Sequence, residues 1–325
     1  MMTTFLKSRE AILALAILAL LAVIAFRFPG FVAPANLANV LTDTSPLIIL
    51  ALGQMAVILT KCIDLSVAAN LALCGMIAAI LNGMGVPLPL ILIAVVALGA
   101  GLGAVNGLLV WKLNIPSIVV TLGTMTIYRG IIFVLTDGKW INAHQMSEGF
   151  KAFPRAVILG LPVMAWIAVG VVLGFALFVN RTAPGRALFA VGGNPHAAVY
   201  TGISVGRTQF MAFVLSGALA GLTGYLWVAR YAVAYVDIAG GFELDVVAAC
   251  VIGGIAIAGG AGSVAGAVMG ALFLGIVKNA LPVVGISPFW QMAISGSAIL
   301  IAIAFNARGQ GPKGRIILKQ AEHRA

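Results

Sequence analysis

Long apolar runs follow one another along the chain and are separated by short polar stretches. A helix needs about 20 residues to cross the hydrocarbon core of a bilayer, and ten runs suit that length. The eighth is short and rich in glycine, so we expect it to be broken or tilted, and eight or nine spans are the alternatives. The predicted spans are 11–27, 42–60, 65–82, 88–110, 117–136, 160–179, 208–230, 246–260, 264–284 and 288–306. A polar, Asn-rich turn is predicted over Asn36–Ser45.

Composition supports the same fold class. Of the 325 residues, 62% are hydrophobic and only 9% are charged, whereas soluble domains contain about 25% charged residues. We therefore predict an all-α polytopic membrane protein whose residues 1–325 form a single transmembrane domain. The first run resembles a signal peptide but lacks a small-x-small cleavage site after it, so we interpret it as an uncleaved first span.

The net charge of +10 is explained by orientation in the bilayer, because basic residues gather on the cytoplasmic side of membrane proteins. With ten spans and a cytoplasmic N-terminus, both termini, the 181–207 loop and the basic tail at 307–325 face the cytoplasm. Twelve basic residues are then inside: Lys7, Arg9, Lys61, Lys112, Arg181, Arg186, Arg207, Arg308, Lys313, Arg315, Lys319 and Arg324. Five are outside: Arg27, Lys139, Lys151, Arg155 and Arg230. The tail lacks the interleaved aromatic residues that would indicate a nucleic-acid partner.

Glycines recur four residues apart within several spans. They form Gly99-x3-Gly103-x3-Gly107, Gly217-x3-Gly221 and Gly262-x3-Gly266-x3-Gly270. Small residues at this spacing let helix backbones approach closely in lipid. We expect close packing inside the chain, with a dimer seam as the alternative. The first and third motifs lie in spans of opposite direction, which favours two inverted halves.

The stretch Arg181–Arg207, RTAPGRALFAVGGNPHAAVYTGISVGR, is the longest basic interruption of the apolar sequence. Gly192-Gly193-Asn194-Pro195 predicts a turn. A short helix is predicted over Pro195–Thr201, and Gly202 stands where that helix would stop. One interpretation is a cytoplasmic loop that offers a surface helix to a partner. The other is an ordinary positive-inside connection.

Polar residues within spans are the candidates for function, because each is unfavourable in lipid. Most are neutral amides and hydroxyls, which suits a polyhydroxylated solute. Arg129 should face the bundle interior, water or a partner, while Asp64 at the end of a span is interpreted as a helix cap. No carboxylate stands clear of a span end, which argues against a proton-coupled transporter. The candidate translocation path comprises Gln54, Asn70, Asn106, Thr121, Thr124, Tyr128 and Arg129.

Sequence motifs for catalysis are missing. The chain has no phosphate-binding loop of the G-x4-G-K-[ST] type, no nucleophile elbow and no metal-ligand spacing among its histidines and three isolated cysteines. We expect no catalytic residues, no metal and no cofactor. An ATP-driven process would require an ATPase on another polypeptide.

Four segments together resemble a known family, the membrane permease subunits of bacterial ABC sugar importers of the ribose, xylose and rhamnose type. They are IDLSVAAN (Ile63–Asn70), VNGLLVWKLNIPSIVVTLGTMTIYRG (Val105–Gly130), GRALFAVGGNPHAAVYTGISV (Gly185–Val205) and FELDVVAACVIGGIAIAGGAGSVAGAVMGAL (Phe242–Leu272). The resemblance covers nearly the whole chain. The sequence GKWI at Gly138–Ile141 resembles the rhamnose and autoinducer-2 branches.

The resemblance implies that a cytoplasmic loop of the form E-A-A-x3-G docks on the ATPase. Here His196-Ala197-Ala198-x3-Gly202 matches it, with His in place of Glu. Cys62 and Ala68 also depart from the family's G-I-D-L-S-V-G. The implied coupling residues are Arg186, Gly192, Gly193, Asn194, His196, Ala197, Ala198 and Gly202.

The implied partners are ATP-hydrolysing ABC subunits, a periplasmic sugar-binding protein and a second permease subunit, identical or related, in the bacterial inner membrane. The expected cargo is a monosaccharide, either a pentose or a deoxyhexose such as rhamnose. The alternatives are an ion-coupled secondary transporter, a channel-like facilitator, and an ABC permease for autoinducer-2, branched-chain amino acids or nucleosides.

Overall fold

The structure is a computed structural model that describes residues 9–287 together with residues 290, 293, 296 and 297. Apart from those four residues, the predicted tenth span at 288–306 and the tail at 307–325 lie outside the described part, as does Lys7. The α-helices, numbered in chain order, are α1 Arg9–Arg27, α2 Pro34–Leu59, α3 Val67–Gly83, α4 Leu88–Leu113, α5 Ser117–Thr136, α6 Glu148–Ala152, α7 Val163–Arg181, α8 Ala183–Gly193, α9 Pro195–Tyr200, α10 Val205–Tyr231, α11 Phe242–Ile252 and α12 Val264–Val283.

Seven of these helices, namely α1, α2, α4, α5, α7, α10 and α12, are long and apolar enough to cross a membrane. The chain is therefore an all-α polytopic membrane protein, as predicted. The central helices are the least apolar of the seven. The most apolar stretch of α2 is 89% buried and that of α10 is 61% buried, against 6% for α1. A helix face that contacts lipid must be apolar, whereas central helices can carry polar groups on every side because these pair inside the bundle.

Short strands close one end of the bundle, which we name the cap end and define as residues 137–162 and 232–241. Strand β1 (Ile141–Asn142) pairs antiparallel with β4 (Val233–Ala234), and β2 (Val157–Ile158) forms a hairpin with β3 (Leu161–Pro162). Short 3₁₀ turns at Pro29–Val32, Ala143–Gln145 and Phe153–Arg155 complete the connections. The β1–β4 ladder ties together two loops that are distant in sequence.

The glycine motifs pack inside the chain, as expected. A methyl group added at Gly99 or Gly103 of α4 would overlap backbone atoms of α10, at Gly217 and at Phe213 respectively. Gly270 of α12 lies equally close to the Ala249 carbonyl of α11. The backbones of antiparallel helices therefore touch without side chains between them. The arrangement in two inverted halves stays a prediction.

The predicted polar turn over Asn36–Ser45 is wrong, because α2 already begins at Pro34. The hydroxyl groups of Thr42, Thr44 and Ser45 donate to the carbonyls four residues earlier, at 2.6–2.8 Å. Such hydrogen bonds satisfy these side chains within the helix. Polar composition alone therefore did not mark a helix end here.

The eighth predicted span, 246–260, is also wrong in its bounds. Helix α11 covers Phe242–Ile252, and the following residues up to Gly262 are not helical. Gly254, Gly259, Gly260 and Gly262 all have positive φ, a conformation that glycine adopts without penalty. The expectation that this segment would be broken is confirmed.

The loop at 181–207 forms two helices instead of a turn and one helix. Helix α8 continues through Gly192 and Gly193, so the predicted four-residue turn is wrong. Asn194 alone separates α8 from α9, and its side-chain oxygen accepts a hydrogen bond from the Ala197 N–H at 3.1 Å. Gly202 has φ +82°, so the predicted surface helix and its stop are confirmed. We call this side of the bundle the loop end.

Candidate functional site

A buried polar cluster lies where the chain breaks between α2 and α3. Residues 60–66 of this segment are not helical, yet Asp64 is only 1% exposed. Its carboxylate accepts hydrogen bonds from the Ser66 N–H at 3.0 Å, the Ser66 hydroxyl at 2.6 Å and the Ser216 hydroxyl of α10 at 3.1 Å. A carboxylate at the N-terminal end of a helix is also favoured by the helix dipole. Asp64 thus joins the start of α3 to the middle of α10.

Two predicted path residues belong to this cluster. The Gln54 amide of α2, oriented as its neighbours require, donates to the Asp64 carbonyl at 3.1 Å and accepts from the Asp64 N–H at 3.2 Å. Asn106 of α4 donates to the Ser66 hydroxyl at 2.8 Å. The Asn106 Oδ1 atom is buried and has no partner among the described residues. The cluster therefore links α2, α3, α4 and α10 to one another through the non-helical 60–66 segment.

The other neutral candidates lie on faces directed into the bundle. Thr121, Thr124 and Tyr128 share one buried face of α5. The Tyr128 hydroxyl donates to the Leu102 carbonyl at 2.9 Å, and the Asn70 amide donates to the Gly99 carbonyl at 3.1 Å. These hydrogen bonds attach α3 and α5 to α4. The Thr121 and Thr124 hydroxyls donate to backbone carbonyls of their own helix.

Charged groups near the cap end are neutralised within the chain. Arg129 donates to the carbonyls of Val236 and Ile238 at 2.6 and 2.7 Å and lies 4.0 Å from the Asp237 carboxylate, so it lies apart from the Asp64 cluster and anchors the 232–241 loop of the cap end. Lys278 of α12 pairs with Asp245 of α11. Arg230 of α10 pairs with Asp43 of α2 at 3.0 Å. Pairing of this kind is what intramembrane charges require.

Replacing Arg129 by glutamine tests this anchoring role. The change removes a charged donor from two backbone carbonyls, which we expect to destabilise the protein by about 2 kcal/mol. Thermal unfolding in detergent and limited proteolysis at 232–241 would measure the loss. Lys139→Gln is the matched control, because the Lys139 side chain is 80% exposed. Lost uptake with unchanged stability would instead place Arg129 in the translocation path.

The predicted coupling residues separate into an exposed and a buried group. Arg186, Gly193, Asn194, His196, Ala197 and Gly202 are exposed. Gly192 and Ala198 are buried, so neither faces a partner. The most prominent apolar side chains of the loop are Val199 and Tyr200, which are 60% and 92% exposed. Sequence reasoning missed them, although an aromatic residue in the last turn of a short polar-flanked helix was a usable signal.

Asp64 and Ser216 were also missed as parts of a site. Asp64 was interpreted only as a cap, and its hydrogen bonds with Ser66 do support the start of α3. Its burial and its contact with α10 depend on a fold that a single sequence does not display. In the described ranges, no group of three His, Cys, Asp or Glu side chains could hold a metal ion.

The structure is thus a multi-pass helical bundle whose interior polar groups are mostly hydrogen-bonded and whose loop end carries the exposed short helix α9. Residues 36–303 match the family described as "Branched-chain amino acid transport system / permease component", and the chain belongs to this family of permeases.

Similar curated proteins are also transport permeases. The chain is 37% identical over 298 residues to the ribose import permease protein of Escherichia coli (strain K12), covering 91% of this chain and 93% of that protein. It is 36% identical over 307 residues to the autoinducer 2 import system permease protein of Enterobacter sp. (strain 638), covering 94% and 89%. It is 35% identical over 323 residues to the galactose/methyl galactoside import permease protein of Escherichia coli (strain K12), covering 94% and 95%. No solved structure matches the chain.

Proposed function

We propose that the whole chain is one permease domain, the membrane subunit of an ABC importer that moves a monosaccharide across the bacterial inner membrane. A separate ATPase docks on the 181–207 loop, a periplasmic binding protein delivers the sugar, and a second permease subunit completes the path. Both termini face the cytoplasm. The ribose and galactose permeases among the relatives support a sugar as cargo.

The observation that carries this proposal is the exposed face of α9. A capped helix of six residues presents Val199 and Tyr200 to solvent. An isolated apolar residue on a surface needs no explanation, but a 92% exposed tyrosine beside an exposed valine on a capped helix is typical of an anchor for a partner. An ordinary connecting loop has no need of such a helix. The docking partner we infer is the ATPase.

The translocation path remains assigned to Gln54, Asn70, Asn106, Thr121, Thr124, Tyr128 and Arg129 as a proposal. All but Arg129 are buried inside the chain in the described conformation. A second state of the bundle would have to expose them to solute, in the manner of two-state transporters.

The test is a purification of the tagged chain in detergent from the host membrane, with ATP hydrolysis assayed in the eluate. We expect an ATPase to co-purify. The double variant Val199→Asp/Tyr200→Asp should reduce its recovery by more than about tenfold, since an aromatic anchor commonly carries about 2 kcal/mol or more. Neither side chain packs in the core, so membrane insertion should be unchanged.

Leu159→Asp is the matched control, because Leu159 is 88% exposed at the cap end. Undiminished ATPase recovery with the double variant would contradict docking on α9. Sugar flux in liposomes that hold only this chain would contradict the ABC assignment and favour an ion-coupled transporter.

The autoinducer 2 permease relative favours a second candidate cargo. Separate uptake measurements by the reconstituted complex with ribose, galactose, rhamnose and autoinducer 2, each radiolabelled, distinguish the two. Uptake of autoinducer 2 without uptake of any of the three sugars would replace the sugar assignment.

A further inference from the structure

Three backbone segments meet at one point of the loop end. They are the end of α2 at Leu59, the end of α8 at Gly192, and Gly260 in the segment between α11 and α12. The Gly260 N–H donates to the Leu59 carbonyl at 3.0 Å. A methyl group on Gly192 would overlap both the Leu59 carbonyl oxygen and the Gly260 nitrogen. The three backbones touch with no side chain between them, and we name this contact the joint.

Two residues, Gly193 and Asn194, connect Gly192 of the joint to the docking helix α9. Helix α8 ends at Gly193, Asn194 caps α9, and α9 begins at Pro195. Packed side chains can absorb a displacement by changing rotamer, but a direct backbone contact and a two-residue connection leave little room for that. A movement of α9 is therefore expected to reach Leu59 and Gly260.

The joint is also close along the chain to the buried polar cluster. Four residues, 60–63, separate Leu59 of the joint from Asp64. The Ile63 N–H donates to the Ser117 hydroxyl of α5 at 3.1 Å, and Gln209 of α10 donates to the Thr60 carbonyl at 3.4 Å. The segment that leaves the joint is therefore hydrogen-bonded to the helices around Asp64.

We propose that the joint of Leu59, Gly192 and Gly260 transmits ATPase-driven movement of α9 to the 60–66 segment and its Asp64 cluster. Gly192 is thus a positioning residue that acts between the docking helix and the interior, and it does not itself touch the ATPase. This inference rests on the proposed docking of α9 on an ATPase. In this proposal the non-helical 60–66 segment between α2 and α3 is the part that moves. Packed helices shift between discrete arrangements, and non-helical segments take up the change.

Gly192→Ala in the purified complex is the first test. The ATPase should still co-purify, because the exposed face of α9 is unchanged. Uptake should fall by about tenfold or more, within the range of typical coupling between sites, while ATP hydrolysis continues. Gly174→Ala on α7 is the matched control, because a methyl group there meets open space, and its uptake should equal that of the unchanged chain.

Alkylation of Cys62 reports the movement directly. Cys62 is 4% exposed and lies between the joint and Asp64, and it becomes the only cysteine when Cys74 and Cys250 are replaced by alanine. In this background, a non-hydrolysable ATP analogue should change the rate of Cys62 alkylation by a maleimide several-fold. Gly174→Ala should preserve that response. Gly192→Ala should abolish it.

Normal uptake by the Gly192→Ala variant would contradict the proposed role of the joint in transmitting movement. An unchanged rate of Cys62 alkylation on addition of the nucleotide analogue, in the Cys62-only chain with the ATPase bound, would also contradict the proposed role of the joint. This measurement does not depend on whether the Gly192→Ala variant accumulates in the membrane. Either result would leave the proposed function standing. Failure of any ATPase to bind the unchanged chain would overturn both, and the recovery of ATPase in the eluate tells the two failures apart.

Discussion

Replacing Gly103 by leucine is expected to prevent the bundle from assembling. The α-carbon of Gly103 faces the backbone of α10 at Phe213 and Gly217, where even a methyl group would overlap. Neither backbone can yield without separating the two helices along their whole contact. Overpacking of a core costs about 3 kcal/mol or more when the neighbour is rigid. The variant should therefore be degraded or aggregate, as measured by its membrane level and by size-exclusion chromatography in detergent.

Gly101→Leu controls for this experiment on the same helix. Gly101 is exposed, and a side chain there meets nothing within 4 Å. The same substitution two residues away should therefore leave the protein folded. Equal levels of both variants would contradict the α4–α10 packing and would reopen the dimer seam as the use of the Gly99-x3-Gly103 motif.

Asp64→Ala has the second largest expected effect. The alanine would leave one buried N–H and two buried hydroxyls without their acceptor. An unpaired buried donor costs about 1–3 kcal/mol, and hydroxyls that rotate to other acceptors recover part of this. We expect the free energy of unfolding to fall by about 3 kcal/mol, measured by thermal or denaturant unfolding in detergent.

Asp64→Asn should lose less, because one amide oxygen still accepts and a serine hydroxyl can accept from the new NH₂ group. Asp137→Ala is the exposed control. The Asp137 side chain is 84% exposed, and such surface ion pairs contribute about 0–1 kcal/mol. A stable Asp64→Ala protein would mean that the cluster does not hold α3 to α10.

The spans were predictable because their signal is local. A run of apolar residues of sufficient length must be helical in lipid, and α4, α5 and α10 fall within three residues of their predicted bounds. The errors in helix bounds arose where the bound depends on contacts that the local apolar pattern does not show. Polar residues of α2 remained helical because they bond to their own backbone, and α11 stopped early because the glycines after it meet neighbouring backbones.

The site was only partly predictable for the same reason. The composition of the 181–207 loop indicated α9, since its cap, its proline and its glycine stop are all near one another in sequence. The role of Gly192 was misjudged. Its lack of a side chain serves the approach to Leu59 and Gly260 and not a turn, and no neighbouring residue reveals that need.

The sequence by itself determined that this chain is a helical multi-pass membrane protein with a short surface helix in a basic loop. Those properties follow from the hydrophobic effect and from capping, which act over a few residues. Tertiary structure alone decided which distant groups meet: Asp64 with Ser216 across 152 positions, Arg129 with the Val236 and Ile238 carbonyls, and Gly192 with Leu59. In the bilayer interior water cannot satisfy a polar group, so each must find its partner in the folded bundle, wherever along the chain that partner lies.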